Sequence, residues 1–348
     1  MFLKNLNKKL IITSVASGIL ISLASCSLLN EDLSECPVSM RVRFIYDYNL
    51  KFADAFAHEV KSVNVWAFDT ADGTLVWSDS ASGEELADKD FALEAPLTEG
   101  TYDFVAWCGL KDNEDFNLAT YTPASKEELE VKLRTVEKDG LNISSSHLPG
   151  LYHGTVLNDT FTVNPTAPTI KTLTIPLMKD TNDIRVLLAR YNGTAIGEND
   201  FDVKITIPDA WLGWNNNVLS EGPMVTYTPW DVSYGYITTP DNENDPDVLT
   251  TFSTAIFDLS SSRLIKGANA TLTVRRNSDN TDIIRIPIIE YFLLVKGHYG
   301  DMTDQSYLDR QDDYSIMFFV DEDNNLYAAG GIYINSWAVV PPQNTTLQ

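Results

Sequence analysis

Histidine and cysteine are scarce in this sequence, which has four of the first and three of the second among 348 residues. Zinc sites are built mainly from histidine and cysteine, and catalytic thiols are cysteines, so the composition disfavours both kinds of site. The HExxH, GxSxG and GxxxxGKS/T patterns do not occur, which disfavours a zinc peptidase, an α/β-hydrolase and a P-loop NTPase. Glycoside hydrolysis by two carboxylates stays open, because the sequence does not show which of its 49 acidic residues are neighbours.

Basic residues are also few, since Lys and Arg total 25 against 49 Asp and Glu, for a net charge of −24. A surface this acidic repels phosphate groups, so we expect no nucleic-acid partner. The 44% of hydrophobic residues and 21% of charged residues are typical of a folded globular protein. At about 150 residues per domain, the length suggests two domains.

The first 26 residues have the order of a bacterial secretion signal. Three lysines and no acidic residue lie within the first nine positions, and an apolar run follows from Leu10 to Leu23. The next residues, Ala24-Ser25-Cys26, resemble the lipobox of bacterial lipoproteins, whose cysteine receives the lipid and becomes the new N-terminus. We therefore predict a signal peptide over residues 1–25 and lipid attachment at Cys26, with a plain secreted protein as the alternative.

Lipid attachment determines the expected location. Two or three acyl chains hold a protein stably on a bilayer. No later stretch predicts a membrane span, because the longest apolar run, Ile283–Val295, contains Arg285, Pro287 and Glu290. Ser27 follows the cysteine, where lipoproteins of the inner membrane often carry Asp. We expect a lipid-anchored protein exposed on the outer membrane, with residues 26–36 as its tether.

The remainder of the chain has the periodicity of β-strands. Apolar and polar residues alternate from Val38 to Tyr46, and a β-branched and aromatic run covers Val60–Phe68. Similar segments continue towards the C-terminus and include Ile283–Val295, with one short helical turn after Ser125 and no amphipathic helix. This series favours an all-β protein of antiparallel sandwiches over a parallel α/β sheet. The most polar break, at 178–183, predicts one sandwich over 37–180 and a second over 181–348.

Cys36 and Cys108 are the two cysteines that remain after lipidation. An exported protein permits a disulfide. Cys36 precedes the first strand and Cys108 ends a later one, so the two are close if these strands run antiparallel. A bond would close a loop of about 70 residues and stabilise the fold by roughly 4 kcal/mol in the entropic model. Two free thiols are the alternative.

Other candidate sites have ordinary structural interpretations. Asp321–Asn325 is similar to the start of a calcium loop, but Leu326 stands where glycine is needed, so we predict a hairpin turn. The acidic stretch Asp241–Asp247 is expected to be a solvated loop. We therefore predict no metal and no cofactor. Trp211, Trp214 and Trp230 either form a platform for sugars or lie in the sandwich cores.

An ordered set of short motifs resembles one known family. Cys26-Ser27-Leu28 is followed by E-D-L-S-E-C-P at 31–37, R-F-I-Y-D-Y-N at 43–49, V-N-V-W-A-F-D at 63–69, A-W-C-G at 106–109 and L-Y-H-G at 151–154. This order and spacing resembles the Mfa/FimB family of fimbrial anchoring lipoproteins, most clearly over residues 26–190. The resemblance implies two transthyretin-like Greek-key β-sandwich domains in tandem and a place at the base of a type V pilus.

The resemblance also implies a structural role without enzyme activity or a small-molecule substrate. Pilin subunits of that pilus system join by donor-strand exchange, in which the terminal strand of one subunit fills a groove in the sheet of its neighbour. We therefore expect a lipoprotein that anchors a fimbria to the outer membrane and limits its length, with a pilin as partner. The alternative is a surface glycan-binding or adhesin-type lipoprotein that uses exposed aromatic residues.

Overall fold

The computed structural model describes residues 38–164, 169–242 and 245–340, and these residues form mainly strands. Within those ranges, twelve strands precede residue 180: β1 (Val38–Ile45), β2 (Ser62–Asp69), β3 (Leu75–Ser82), β4 (Leu93–Ala95), β5 (Gly100–Cys108), β6 (Phe116–Leu118), β7 (Val131–Leu133), β8 (Val136–Lys138), β9 (Leu141–Ser144), β10 (Tyr152–Phe161), β11 (Thr169–Pro176) and β12 (Met178–Lys179). Eleven follow it: β13 (Asn182–Arg190), β14 (Phe201–Ile207), β15 (Trp211–Leu212), β16 (Val225–Tyr227), β17 (Asp231–Asn242), β18 (Asp245–Ser261), β19 (Thr271–Arg276), β20 (Thr281–Pro287), β21 (Asp313–Val320), β22 (Ile332–Ile334) and β23 (Trp337–Val339).

Helices are short. The α-helices and 3₁₀ turns of the described ranges are α1 (Phe56–Glu59), α2 (Ile288–Phe292), α3 (Asp304–Leu308) and the turns Glu84–Ala87, Lys126–Glu128, Leu293–Tyr299 and Ala328–Gly330. The turn after Ser125 confirms the predicted short helical segment, since β7 follows it directly. The prediction of a strand over Ile283–Val295 is wrong beyond Pro287, where β20 ends and α2 begins. Proline cannot donate to a ladder, and four of the five residues of the helix that follows are buried, with only Glu290 exposed, so its sequence lacks the pattern of a surface helix.

The first sandwich packs a three-stranded sheet, in the order β11-β1-β4, against a five-stranded sheet, in the order β12-β10-β5-β2-β3. The alternation in β1 works as predicted, because Met40, Val42 and Phe44 are buried while Arg41 pairs with Glu94 near the surface. In β5 both faces are buried. Phe104 belongs to this core, whereas Trp107 belongs to a core on the opposite face of the sheet.

The second sandwich packs two six-stranded sheets. Their strand orders are β17-β18-β13-β21-β22-β23 and β20-β19-β14-β16-β9-β8. Ile184, Ile316 and Phe318 of the first sheet and Val203 and Leu272 of the second lie in one core. Most pairs are antiparallel, but β1 with β11, β13 with β21 and β9 with β16 run parallel. The predicted all-β sandwich class is confirmed.

Strands from the first half also join the second. The parallel neighbour of β16 is β9, and β15 pairs with β7 in a small sheet of the order β15-β7-β6. Residues 131–144, which lie within the predicted range 37–180, therefore share sheets with residues 211–227. The number and limits of the domains stay a prediction. Among the described residues, no helix is long and apolar enough to cross a membrane.

Candidate functional site

The segment between the two halves is packed inside the protein. Asp180, Thr181 and Asn182 are buried, although their polarity indicated a break in the fold. The Oδ1 atom of Asp180 accepts a hydrogen bond from Nδ2 of Asn216 at 2.8 Å and lies 3.9 Å from Nε of Arg263. Burial outweighs these two partners and raises the pKa of Asp180 to about 7. We call this group of buried side chains the polar seam.

Arg263 ties the polar seam to helix α3. Its Nε and Nη2 atoms donate to Oδ1 and Oδ2 of Asp309, each at 3.0 Å, and its Nη1 donates to the backbone oxygen of Asn216. Gln305 also donates to Asp309, at 2.8 Å. Burial raises the pKa of Asp309 even though Arg263 and Gln305 oppose that shift. This bidentate salt bridge between Arg263 and Asp309 fixes the orientation of the guanidinium group beside Asp180.

A cleft of about 650 Å³ opens at the N-terminal ends of β13 and β21. Trp230 forms one wall and packs against His147, with ring centroids 4.6 Å apart. The rest of the lining is mainly polar and includes Glu59, Lys179, Asp183, Asp258, Asp312 and Asp313. Three of these acids also line a second cavity of about 680 Å³ beside Arg310: Glu59, Asp312 and Asp313. We call the combined space the junction cleft.

Both acidic and basic groups line the junction cleft. Asp183 and Asp313 are direct neighbours in the parallel pairing of β13 and β21. Burial, together with the negative charges of Asp183 and Asp312, raises the pKa of Asp313. Two residues after Asp183 in β13, the guanidinium group of Arg185 donates to both carboxylate oxygens of Asp258, at 2.7 and 3.0 Å. An aromatic wall beside such hydrogen-bonding groups can hold a polar ligand with apolar faces.

The three tryptophans considered as a platform do not lie together. Lys132 Nζ sits 4.1 Å from the centroid of Trp211, and Lys126 Nζ sits 4.5 Å from that of Trp214. Both rings are thus half-buried under lysines of the first half. Of the three, Trp230 alone is exposed, and it belongs to the junction cleft. The other residues of this cleft come from separate elements, such as Glu59 of α1, His147 in the loop after β9 and Asp258 of β18, so no local motif indicated them.

The predicted cysteine sites are only partly described. Cys26 and Cys36 lie outside the described residues. Cys108 ends β5, is fully buried and lies opposite Val63 and Tyr152 in the sheet. Burial raises the pKa of its thiol. The bond between Cys36 and Cys108 therefore stays a prediction.

The structure describes one of the two acidic loops completely and the other only in part. Asp321–Asn325 forms the predicted tight turn, in which Oδ1 of Asp321 accepts the backbone N–H groups of Asp323 and Asn325 at 3.0 and 2.8 Å. The stretch Asp241–Asp247 includes residues outside the described ones. Among the described residues, no group of three or more His, Cys, Asp or Glu side chains could hold a metal ion.

A second exposed feature is the outer edge of the second sandwich. Strand β17 is the last strand of its six-stranded sheet, and Val232, Tyr234 and Tyr236 on it are exposed. Sequence reasoning missed this strand. Its signal was the alternation Val-Ser-Tyr-Gly-Tyr at 232–236, which has the period of a strand.

Comparison with known proteins agrees with this architecture. A protein of Bacteroides thetaiotaomicron described as a candidate adhesin is 33% identical, with a TM-score of 0.73 over 88% of this chain and 99% of that one. A candidate polysaccharide-binding protein of the same species is 26% identical, with a TM-score of 0.71 over 88% and 99%. The fimbrial anchor protein Mfa2 of Porphyromonas gingivalis shares the fold at 19% identity, with a TM-score of 0.61 over 87% and 99%. No curated protein matches the chain.

Almost the whole chain also matches the model of one protein family. Residues 33–341 match the model of the fimbrillin-A associated anchor proteins Mfa1 and Mfa2. This range includes both sandwiches, the polar seam and the junction cleft, so the match covers the whole fold and not one module. The resemblance seen in the short motifs is confirmed, and this chain belongs to the family of fimbrillin-A associated anchor proteins.

Proposed function

We propose that this protein is a non-enzymatic lipoprotein that anchors a fimbria to the outer membrane and limits its length. The observation that carries the proposal is the family match over residues 33–341, which begins close behind the lipobox-like cysteine Cys26. Folded sandwiches that start just after a lipid attachment point fit a subunit held at the membrane surface.

Cys26 supplies the hold on the membrane in this proposal. Each buried methylene of a lipid contributes about 0.8 kcal/mol, so two or three acyl chains keep a protein on a bilayer. The fimbria itself is attached by protein contacts. A pilin strand that adds to a sheet of this chain gains backbone hydrogen bonds, while alternate side chains determine its register. A subunit that accepts one strand at the base also ends growth, which limits the length.

The test replaces Cys26 with alanine in the fimbriated bacterium. Subunits of the fimbria hold one another without the lipid, so polymerisation should continue while attachment fails. We expect the pilin to move from the cell fraction to the culture medium in the Cys26→Ala strain. The measurement is the amount of pilin in each fraction.

Ser27→Ala is the matched control, because it changes the neighbouring residue and leaves the thiol in place. This strain should keep its fimbriae on the cells. An unchanged cell-bound fraction in the Cys26→Ala strain would show that another protein holds the fimbria, and the anchor proposal would then fail.

A second candidate function is glycan binding, which the exposed Trp230 in the junction cleft favours. One ring and several carboxylates in a cleft suit a sugar, whose apolar face stacks and whose hydroxyl groups hydrogen-bond. The purified protein should then be retained on an immobilised polysaccharide, and Trp230→Ala should abolish retention. Trp337→Ala, at another exposed tryptophan, is the control. Equal elution of all three proteins with the void volume would exclude this function.

A further inference from the structure

We propose that the free edge of β17 is where a neighbouring fimbrial subunit adds its β-strand to this protein. The inference rests on the proposed anchoring function and adds the location of the contact. It starts from the sheet order, in which β17 pairs with β18 from Asp231 to Asn242. No other strand of the described ranges pairs with β17, so the backbone on its outer side faces solvent.

Over Asp231–Thr239 this edge lacks the features that usually prevent strand addition. Edge strands are normally short, or carry lysine, proline, inward charges or β-bulges. The break in register of the β17–β18 pair lies beyond this range, between Pro240 and Asn242. From Asp231 to Thr239 the only charged residue is the first, and Pro240 comes only towards the tip of the hairpin. At twelve residues, β17 is long for an edge strand, whereas a strand averages five to six residues.

The other edges of the second sandwich are better protected. On the opposite side of the same sheet, β23 has three residues. In the facing sheet, the outer strand β8 also has three residues, two of which are Glu137 and Lys138. The remaining outer strand, β20, carries Asp282 and Arg285. Among the four edge strands of the second sandwich, β17 is therefore the longest and the least protected.

Three side chains of β17 continue the core-facing surface of the sheet out to its edge. Val232 lies opposite Phe257 and Tyr234 opposite Ala255, and both partners on β18 are buried. Paired residues point to the same face of a sheet. Val232, Tyr234 and Tyr236 thus form one apolar row on the core-facing side, and Tyr236 at the outer end of this row is 62% exposed. An added strand would place its own apolar side chains over this row.

Backbone and charge indicate the kind of partner. The free N–H and C=O groups along the edge of β17 have the spacing of an extended backbone. Another extended chain can form hydrogen bonds with all of them, whereas a helix or a sugar cannot. Tyr234 donates a hydrogen bond to the backbone oxygen of Glu198, and its pKa is raised by partial burial and by Glu198 and Asp200. With Asp231 at the start of the strand, the rim is acidic. The partner is therefore a strand with alternating apolar residues and lysine or arginine beside them.

Gly235 fits this role because it sits in the middle of the free edge. A side chain added there would meet only Oγ1 of Thr254, at 3.9 Å, so packing within this protein does not require a glycine. Glycine within a strand weakens it and often marks a point where another backbone comes close. Gly235 therefore marks the centre of the edge as a place where a second backbone can run alongside β17.

The test places a photo-crosslinking amino acid, p-benzoylphenylalanine, at Tyr236 of the full chain in fimbriated cells. The same replacement at Trp337, which is 45% exposed on β23, is the control. After irradiation, the crosslinked species is isolated with the fimbriae and its two partners are identified by mass spectrometry. We expect a crosslink from position 236 to a strand segment of a fimbrial subunit, at least tenfold more abundant than any from position 337.

Other crosslinking outcomes separate the two proposals. If fimbriae co-isolate with this protein but position 236 gives no crosslink to a fimbrial subunit, the anchor stands and the β17 contact is wrong. A crosslink to a second copy, or to residues 27–37 or 341–348 of the same chain, also overturns it. If wild-type protein and fimbriae never co-isolate, both proposals fail.

A second variant tests the charge at the same edge. Tyr236→Lys adds a positive charge facing a basic partner, and the exposed position should leave the fold intact. It should lower the fimbriae co-isolated with this protein at least tenfold, while Trp337→Lys leaves them unchanged. Equal recovery with both variants would contradict the proposal.

Discussion

The buried carboxyl group of Asp180 should make the stability of this protein fall as the pH rises. Asp180 is fully buried in the polar seam, and its pKa is raised from 3.8 to about 7. Between these two values the folded protein keeps a proton that the unfolded chain has released. The free energy of unfolding therefore decreases through this window, because ionisation is easier in the unfolded state.

The size of the effect follows from the two pKa values. One pKa unit corresponds to about 1.4 kcal/mol, so this group should lower the stability by about 3 kcal/mol between pH 5 and pH 8. Asp180→Asn keeps a side-chain oxygen that can accept the hydrogen bond from Asn216, and it cannot ionise. The variant should thus lose about 3 kcal/mol less than the wild type over this range.

Urea unfolding at pH 5, 6, 7 and 8, followed by tryptophan fluorescence, measures this difference. Asp209, another buried carboxyl group with a pKa near 8, is present in both proteins and contributes the same slope to each. Asp79→Asn, at an exposed position, is the control and should follow the wild type. Parallel curves for the wild type and Asp180→Asn would refute the reasoning, since they would mean that Arg263 keeps Asp180 ionised in the folded protein.

Three further predictions concern the thiols, one tight contact and the core. Thiol labelling of the unreduced, unfolded exported protein should find no reactive group at Cys36 and Cys108, and two labelled thiols would disprove the disulfide. Gly109→Ala should destabilise the fold by more than about 3 kcal/mol in urea, because the new methyl would lie 2.0 Å from a backbone oxygen at a φ of +85°. Gly73→Ala, in open space at a φ of +76°, should cost only about 1 kcal/mol, and equal losses would contradict the contact. Ile316→Ala should cost about 2–5 kcal/mol at the centre of the second core, and a loss below 1 kcal/mol would show that the site is loosely packed.

Local sequence patterns were sufficient to predict several strands and turns. The alternation at Val38–Tyr46 predicts a half-buried strand because side chains in a strand point to opposite faces, and β1 has that burial. The turn at Asp321–Asn325 was equally predictable, since the aspartate binds its own backbone. The order of short motifs also indicated the family, which the match over residues 33–341 confirms.

Only the tertiary structure decided where these elements meet. Polarity at 178–183 indicated a boundary between two domains and did not show that Asn216 and Arg263 come from distant segments to enclose Asp180. Every strand offers the same backbone N–H and C=O groups, so its sequence does not show which other strand it pairs with. The parallel pairing of β9 with β16 could therefore not be predicted from the sequence. The exposure of Tyr236 has the same origin: a strand pattern indicates which side chains share a face, whereas the rest of the sheet decides which strand is left at the edge.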